Sequence, residues 1–240
     1  MILAIDAGNS RVKWGWHDGQ GWSSVATVSL IEFAASSDHI NPFSATHENP
    51  TRIVISNVAG EGAHQLLVNW TSIFEAEALW LHGERERCGV VSRYERPEQL
   101  GPDRWAALVA ARALHSGPCL VVNAGTATTA DVLSGNGEFL GGAILPGVEL
   151  MRFVLHEHTG RLPIQEGSFR DTPRNTVDAI ETGCRHAQAG AVERMHRIAG
   201  RDALCLVSGG AGEALAKQLP FPSRYVENLV LDGLARIALA

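Results

Sequence analysis

The chain has 240 residues, a formal net charge of −6, and hydrophobic and charged fractions of 45% and 19%. These values fit a soluble globular protein of one large domain or two small ones, and the negative balance gives no basic footprint for nucleic acid. Lys13 and Lys217 are the only lysines, and without a Gly-x-x-x-x-Gly-Lys-Ser/Thr string a P-loop nucleotide site is excluded.

From the start, Met1-Ile2-Leu3-Ala4-Ile5 predicts a strand running into Asp6-Ala7-Gly8-Asn9-Ser10, and the alternating Arg11-Val12-Lys13-Trp14 predicts its partner. Trp14, Trp16 and Trp22, interleaved with glycines, extend this to a meander, with a further strand at residues 25–30. Residues 36–50 read as a polar surface connection. A strand at 52–56, a loop at 57–62, a helix at 64–74 and a strand at 78–81 follow, which indicates an α/β domain with a mixed sheet. Residues 84–99 are charged, lack clear periodicity and contain Tyr94. They lead to Gly101-Pro102-Asp103-Arg104 and then to helical spacing through Trp105, Leu108, Val109 and Ala113. Gly117-Pro118 ends that helix and sets the expected boundary between two halves, residues 1–117 and 118–240.

The second half opens with Leu120-Val121-Val122, an apolar run that ends at Asn123-Ala124-Gly125-Thr126 and returns as an alternating strand. A turn at 135–137 precedes Phe139-Leu140-Gly141-Gly142-Ala143-Ile144-Leu145-Pro146-Gly147. A helix at 148–156, a break at 159–163 and a loop at 164–173 come next. Asn175 or Thr176 then caps a long helix through Ile180, Cys184, Ala187 and Ala191. The chain closes with a strand at 203–207, a glycine turn at 209–212, a helix at 213–219 and an apolar helix at 229–239. Cys88, Cys119, Cys184 and Cys205 form no Cys-x-x-Cys pair, and Cys119 and Cys205, in apolar strand-like runs, read as reduced core residues. No apolar run approaches a membrane span, and Met1 opens directly into a strand, so a cytoplasmic location is expected.

The two halves make nearly the same statement: an apolar strand, a polar acceptor (Asp6 or Asn123), a glycine, a hydroxyl residue, then a second strand. Such a duplication suggests paired domains with a ligand between them. Gly8 and Gly125 are expected to turn with positive φ and to leave N–H groups uncovered for a phosphate. Ser10, Thr126, Thr128 and Thr129 can add donors, and Asp6 can hold the accompanying metal ion. The plainer alternative is two hairpins with ordinary Gly/Asn turns. For Gly101–Arg104 the alternatives are a helix cap, or a general base beside a cation that grips a carboxylate or phosphate. Gly141-Gly142 with Pro146-Gly147 is either a flat platform for a planar base or two turns around a short strand. Gly210-Ala211-Gly212 lacks the third glycine of a dinucleotide fingerprint, Leu215 standing there, though a glycine wall for a nucleotide is open. His156-Glu157-His158 reads as solvated surface rather than a metal site.

Four motifs in order make the chain resemble the type III pantothenate kinases of the acetate kinase/sugar kinase/Hsp70/actin superfamily over essentially its whole length. They are Asp6-Ala7-Gly8-Asn9-Ser10; Gly101-Pro102-Asp103-Arg104 with Tyr94 upstream; Asn123-Ala124-Gly125-Thr126-Ala127-Thr128-Thr129; and Gly141–Gly147. The resemblance implies two ribonuclease-H-like (actin-like ATPase) α/β domains with mixed sheets and an interdomain cleft, a homodimer, and ATP-dependent phosphorylation of pantothenate. It makes Asp103 the proton acceptor and Asp6 the group that helps to place Mg²⁺. Residues Asp6, Ala7, Gly8, Asn9, Ser10, Arg11, Val12, Lys13 and Thr126 would contact ATP, with Gly141, Gly142, Pro146 and Gly147 under the adenosine. Tyr94, Gly101, Pro102, Asp103, Arg104 and Thr176 would surround pantothenate. Ser10 replaces the family's threonine and keeps its hydroxyl. Asn123 replaces an aspartate that binds a monovalent cation, K⁺ or NH₄⁺, and an amide oxygen without formal charge holds such a cation less tightly. Two rival readings remain: a kinase of the superfamily acting on another small hydroxylated substrate, and a non-catalytic ATP-binding regulator.

Overall fold

The structure, a computed structural model, describes residues 1–36 and 49–240, so most of the polar connection expected over residues 36–50 lies outside the described residues. A continuous apolar run, β1 (Ile2–Ala7), and the alternating β2 (Arg11–His17) and β3 (Trp22–Ser29) build the opening meander, with Asp6 opposite Lys13 in the antiparallel β1–β2 pair. The third strand stops before Leu30, where α1 (Leu30–Ser36) begins. The reason is a capping box: Glu32 N donates to Ser29 Oγ at 3.1 Å, and Ser29 N donates to the Glu32 carboxylate at 3.0 Å. β4 (Arg52–Asn57) lies parallel to β1 on its other side, and β5 (Ala78–Trp80) lies parallel to β4. The helix expected over 64–74 is α2 (Glu61–Thr71), shifted towards the N-terminus. The sheet order is β3-β2-β1-β4-β5.

Strand side chains alternate between faces. Leu3, Ile5, Val12, Trp14, Trp16, Ile53 and Ile55 therefore share a core with Phe33 of α1 and Leu67 and Trp70 of α2. The opposite face, which receives Asp6, Lys13 and Ser56, is covered by α3 (Pro102–Leu114) and α7 (Leu229–Leu239). These two helices pack almost backbone to backbone, since a Cβ on Gly233 would stand 1.9 Å from the Ala106 carbonyl oxygen. The stretch 84–99, which shows no periodicity in sequence, contains β6 (Glu86–Arg87) and β7 (Val90–Ser92), too short to display one. Cys88 and Gly89, with φ of 51° and 78°, form the tight turn between them. A 3₁₀ turn at Pro97–Gln99 leads on to α3.

The chain divides into two compact units: Met1–Leu114 with Asn228–Ala240, and His115–Glu227. The sequence reading places the closing helix in the second half, whereas α7 packs on α3, β1 and β4 of the first unit. An apolar helix carries no local mark of which sheet it will cover.

In the second unit β8 (Cys119–Ala124) pairs antiparallel with β9 (Ala127–Leu133), which pairs with β10 (Glu138–Pro146). β11 (Leu204–Ser208) lies parallel to β8, and β12 (Ser223–Tyr225) parallel to β11. Within this unit the order β10-β9-β8-β11-β12 repeats the first unit's order strand for strand. It is the ribonuclease-H-like arrangement, built twice. Leu120, Val122, Ala130, Val132, Cys205 and Val207 form its core with Ala189 and Val192 of α5 (Thr176–Ala199) and Leu215 of α6 (Gly212–Ala216). α4 (Val148–Glu157) packs on α5.

Candidate functional site

In the first unit Asp6 is the penultimate residue of β1, in register with Lys13 on β2 and Ser56 on β4. These three side chains form one row on the face beneath α3 and α7. The Asp6 Oδ1 atom and the Ser56 Oγ atom are buried without a hydrogen-bond partner. Burial pushes the Asp6 carboxyl up to about 7, and the charge of Asp103 adds to the rise. Ser56 and Lys13 oppose it, the Ser56 hydroxyl by proximity rather than through a hydrogen bond of normal geometry. The fold thus brings Asp6 and Asp103 within electrostatic reach of one another.

Asp103 sits inside the first turn of α3 rather than at its cap. The first intrahelical bond, from Trp105 N to Gly101 O at 2.9 Å, makes Gly101 the cap residue. Burial raises the Asp103 pKa, while the Arg104 N–H, donating to its Oδ1 at 2.8 Å, and the Arg104 charge hold it down. A Cβ on Gly101 would stand 2.7 Å from that Oδ1, so the glycine is what leaves room for the carboxylate. Pro102 occupies the first helical position, where its missing N–H costs nothing. The buried Arg104 guanidinium lies 5.9 Å from the centre of the half-buried Tyr94 ring, within cation–π range.

The turn after β1 is held from both sides: Gly8 N donates to Arg11 O at 2.9 Å, Leu30 N to Ser10 O at 2.9 Å, and Val58 N to Ala7 O at 2.9 Å. Asn9, Ser10 and Arg11 are exposed at its rim, while Val12 is buried in the core. Contrary to the expectation from sequence, neither Gly8 nor Gly125 adopts a positive φ, and a Cβ on either would meet nothing nearer than 3.5 Å. Their strand-like turns need no left-handed residue, so their remaining role is to leave the backbone uncovered.

In the second unit Asn123 is in register with Thr129 on β9 and Ser208 on β11. Gly125 N donates to Ala127 O at 3.0 Å, and exposed Thr126 accepts at its carbonyl from Gly147 N at 2.8 Å. Gly147 is required at that place: a Cβ there would lie 2.2 Å from Gly125 O. Of the residues expected as a glycine platform, Gly141, Gly142 and Pro146 lie in one nine-residue strand, β10, with an irregularity in pairing between Phe139 and Gly141 and a φ of 128° at Gly141, while Gly147 caps α4. Gly142 and Pro146 are exposed along it. The turn at 209–212 adjoins the same place, with Ala211 N donating to Ala124 O at 3.0 Å. Gly209, at φ 91°, could carry no side chain, because a Cβ would stand 2.6 Å from Asn123 Oδ1. Gln188 Nε2 donates to Thr128 Oγ1 at 2.8 Å, tying the strand after the turn to α5. Exposed Thr176 is the first residue of α5, and the cap is Asn175, whose side chain accepts from Asp178 N at 2.8 Å.

The structure therefore gathers Asp6, Lys13, Tyr94 and Gly101–Arg104 in the first unit, and gathers Asn123–Thr126 with Gly147 in the second. Thr176 stands exposed at the start of α5, beside the Asn175 cap. The sequence reading leaves out Ser56 and Ser208, although each ends an apolar run, Ile53-Val54-Ile55-Ser56 and Cys205-Leu206-Val207-Ser208, and so repeats the duplication. It also leaves out Asp232, whose Oδ1 accepts from Trp22 Nε1 at 2.7 Å across 210 positions, a pairing with no local signal.

Comparison with known proteins places these features in a family. Residues 2–198 match the family model described as type III pantothenate kinase. A type III pantothenate kinase of Aromatoleum aromaticum is 49% identical over 240 residues, covering 99% of this chain and 98% of the relative. Among solved structures, the ethanolamine utilization protein EutJ of Carboxydothermus hydrogenoformans has a TM-score of 0.60 at 14% identity, covering 99% of this chain and 88% of that one. The activator of 2-hydroxyisocaproyl-CoA dehydratase of Clostridium difficile, solved with bound ADPNP, has a TM-score of 0.54 at 12% identity, with coverage of 99% and 92%. At such identities these two structures speak for the fold alone.

Proposed function

The chain belongs to the type III pantothenate kinase family, and from that premise we propose that it transfers the γ-phosphoryl group of ATP to the primary hydroxyl of pantothenate, giving 4′-phosphopantothenate for coenzyme A synthesis. The observation that carries the reading is that the Asp103 charge acts on the buried Asp6 carboxyl, with Arg104 and Tyr94 beside Asp103.

The pantothenate hydroxyl oxygen attacks the γ-phosphorus, the bond to the β–γ bridging oxygen breaks, and ADP leaves. Asp103 orients that hydroxyl and accepts its proton. Burial, which raises its pKa, makes it a better base than an exposed aspartate. Arg104, whose planar fork suits a carboxylate, holds the acid end of pantothenate, with the Tyr94 ring against it. Each unit carries a turn, at 6–13 in the first and at 123–126 in the second, whose hydroxyl and backbone donors suit a phosphate, and in the second unit Gly142 and Pro146 leave exposed backbone suited to a planar base. With little covalent chemistry for the protein to perform, positioning and charge stabilisation supply most of the rate.

Asp6 fits a Mg²⁺ ion. Its buried Oδ1 has no hydrogen-bond partner and feels the charge of a second carboxylate, and a divalent cation would offset both negative charges and those of the phosphate tail. A monovalent cation, K⁺ or NH₄⁺, would find only the neutral amide oxygen of Asn123 in its family position. For homodimerisation, large apolar side chains stand exposed on α4, Phe153 at 48% and Val154 at 43%, surface that a second copy of the chain would cover. A cytoplasmic location is supported by four free cysteines and by the site's need for ATP.

The test is a coupled assay of ADP release with pantothenate, other small hydroxy acids and sugars as acceptors, with and without potassium. Turnover with pantothenate alone is expected. Turnover only with another acceptor would make it a different kinase of the superfamily. ATP binding without any phosphoryl transfer would make it a regulator.

A further inference from the structure

Between β7 and α3 the main chain runs through residues 93–96 without strand or helix pairing. Backbone carbonyls in such a stretch need partners from elsewhere. Arg85 supplies them. Its Nη1 donates to Ser92 O at 2.8 Å and to Tyr94 O at 3.0 Å, and its Nη2 donates to Glu95 O at 3.3 Å. The contact is returned by Ser92 N, which donates to Arg85 O at 2.8 Å, while Tyr94 N donates to the buried Ser92 Oγ at 3.3 Å.

The far end of the same segment is pinned two residues earlier, at Gly83. A Cβ there would stand 2.3 Å from Pro97 O and 2.6 Å from Leu100 O, so the bare glycine backbone is what lets that segment close down. The segment then passes directly into Gly101-Pro102-Asp103. The main chain of Tyr94 is thus gripped by one arginine while its ring lies beside another, Arg104 at 5.9 Å.

From this arrangement we infer that Arg85 is a positioning residue of the acceptor-substrate site: its guanidinium fixes the backbone that aims Tyr94, without touching the substrate itself. This rests on the reading above that Tyr94 contacts pantothenate. Arginine is suited to the task because its rigid planar fork spans several carbonyls at once, whereas a lysine ammonium is a single mobile point of charge.

The experiment is steady-state kinetics on Arg85→Met, Arg85→Lys, Tyr94→Ala and the double variant Arg85→Met/Tyr94→Ala, with melting temperatures measured in parallel. Arg85→Met should raise the KM for pantothenate roughly tenfold, the loss expected for a few charge-assisted hydrogen bonds acting at one remove. Its KM for ATP and its kcat should stay within about twofold of wild type. Arg85→Lys should lie between, at roughly threefold. In the Tyr94→Ala background the arginine substitution should add nothing, because its route is gone. A pantothenate KM unchanged in Arg85→Met, an ATP KM rising in step with it, or multiplicative effects in the double variant would each overturn the inference. Should Arg85→Met fail to fold, Arg85→Lys carries the same comparison. If Tyr94→Ala leaves the pantothenate KM unaltered, the assignment of Tyr94 falls and this inference with it. A wild-type protein that never phosphorylates pantothenate would be recognised before any variant is made.

Discussion

Asp6 and Asn123 hold the same station in two copies of one motif. Each is the penultimate residue of the first strand of its sheet, each is followed by alanine and glycine or alanine-glycine-threonine, and each has a serine in register on the neighbouring parallel strand, Ser56 beside Asp6 and Ser208 beside Asn123. The copies have diverged in charge. The carboxylate of the pair is the one under the influence of Asp103, and the amide lies against Gly209.

That divergence predicts a weak response to potassium. Wild-type activity should change less than about twofold between potassium-free buffer and saturating KCl, since a neutral amide oxygen binds a monovalent ion poorly. Asn123→Asp should create a clear potassium activation, read as a fall of at least about tenfold in the concentration for half-maximal rate. Identical titrations for the two proteins would count against a cation site at this residue.

Asp103→Asn removes the proton acceptor while keeping size and the hydrogen bond from the Arg104 N–H. A kcat loss of about 10³-fold is expected, within the range of general-base contributions, with an unchanged melting temperature. Wild-type-like turnover would take Asp103 out of this role.

Gly101→Ala probes the same carboxylate without altering it chemically. The added methyl would sit 2.7 Å from Asp103 Oδ1, so one of them has to move. A displacement of under an ångström is enough for a kcat loss of roughly 10–100-fold. The variant should still bind ATP normally, which an ATP titration followed by intrinsic fluorescence would check.

Much of this was legible in the residues because it is local. Apolar runs marked β1 and β8, alternation marked β2 and β9, and the repeated acceptor-small-glycine pattern marked the duplication that the two sheet orders then display in full. Pro102 and Asp103 marked the start of α3. Other features escaped for physical reasons. β6, β7 and β12 are two or three residues long and cannot show a period of two. Gly8 and Gly125 look in sequence like left-handed turn residues, yet the hairpin geometry holds them elsewhere in φ. The placement of α7 depends on Gly233 meeting Ala106, a contact between residues 127 positions apart that no window along the chain includes.

Gly233→Ala tests that contact directly. With 1.9 Å between the new Cβ and Ala106 O, and no flexible side chain to give way, α3 and α7 have to separate. The cost should be about 3 kcal/mol, at the upper end of ordinary overpacking, seen as a lower denaturation midpoint. Since α3 carries Asp103, kcat should fall as well, even under conditions where the variant remains folded. A fully active variant of wild-type stability would show that the two helices tolerate separation.

Asp6 gives a prediction in pH. Its carboxyl titrates near 3.8 in the unfolded chain and at about 7 in the folded one, so between those values the folded state holds a proton that the unfolded state has released. This group's contribution to stability is therefore complete below about pH 4, declines as pH rises, and is lost above about pH 7. The difference amounts to at most on the order of 4 kcal/mol, because Asp6 as a whole residue keeps some contact with solvent. Asp6→Asn should remove the decline: at pH 8 the variant should be more stable than wild type in metal-free buffer, and at pH 4 the two should coincide. Magnesium should narrow the gap at pH 8 by stabilising the wild type alone, since the cation favours the ionised carboxylate. Parallel stability curves for the two proteins from pH 4 to 8, unaltered by magnesium, would mean that Asp6 is ionised in the folded protein without help and that the cation binds elsewhere.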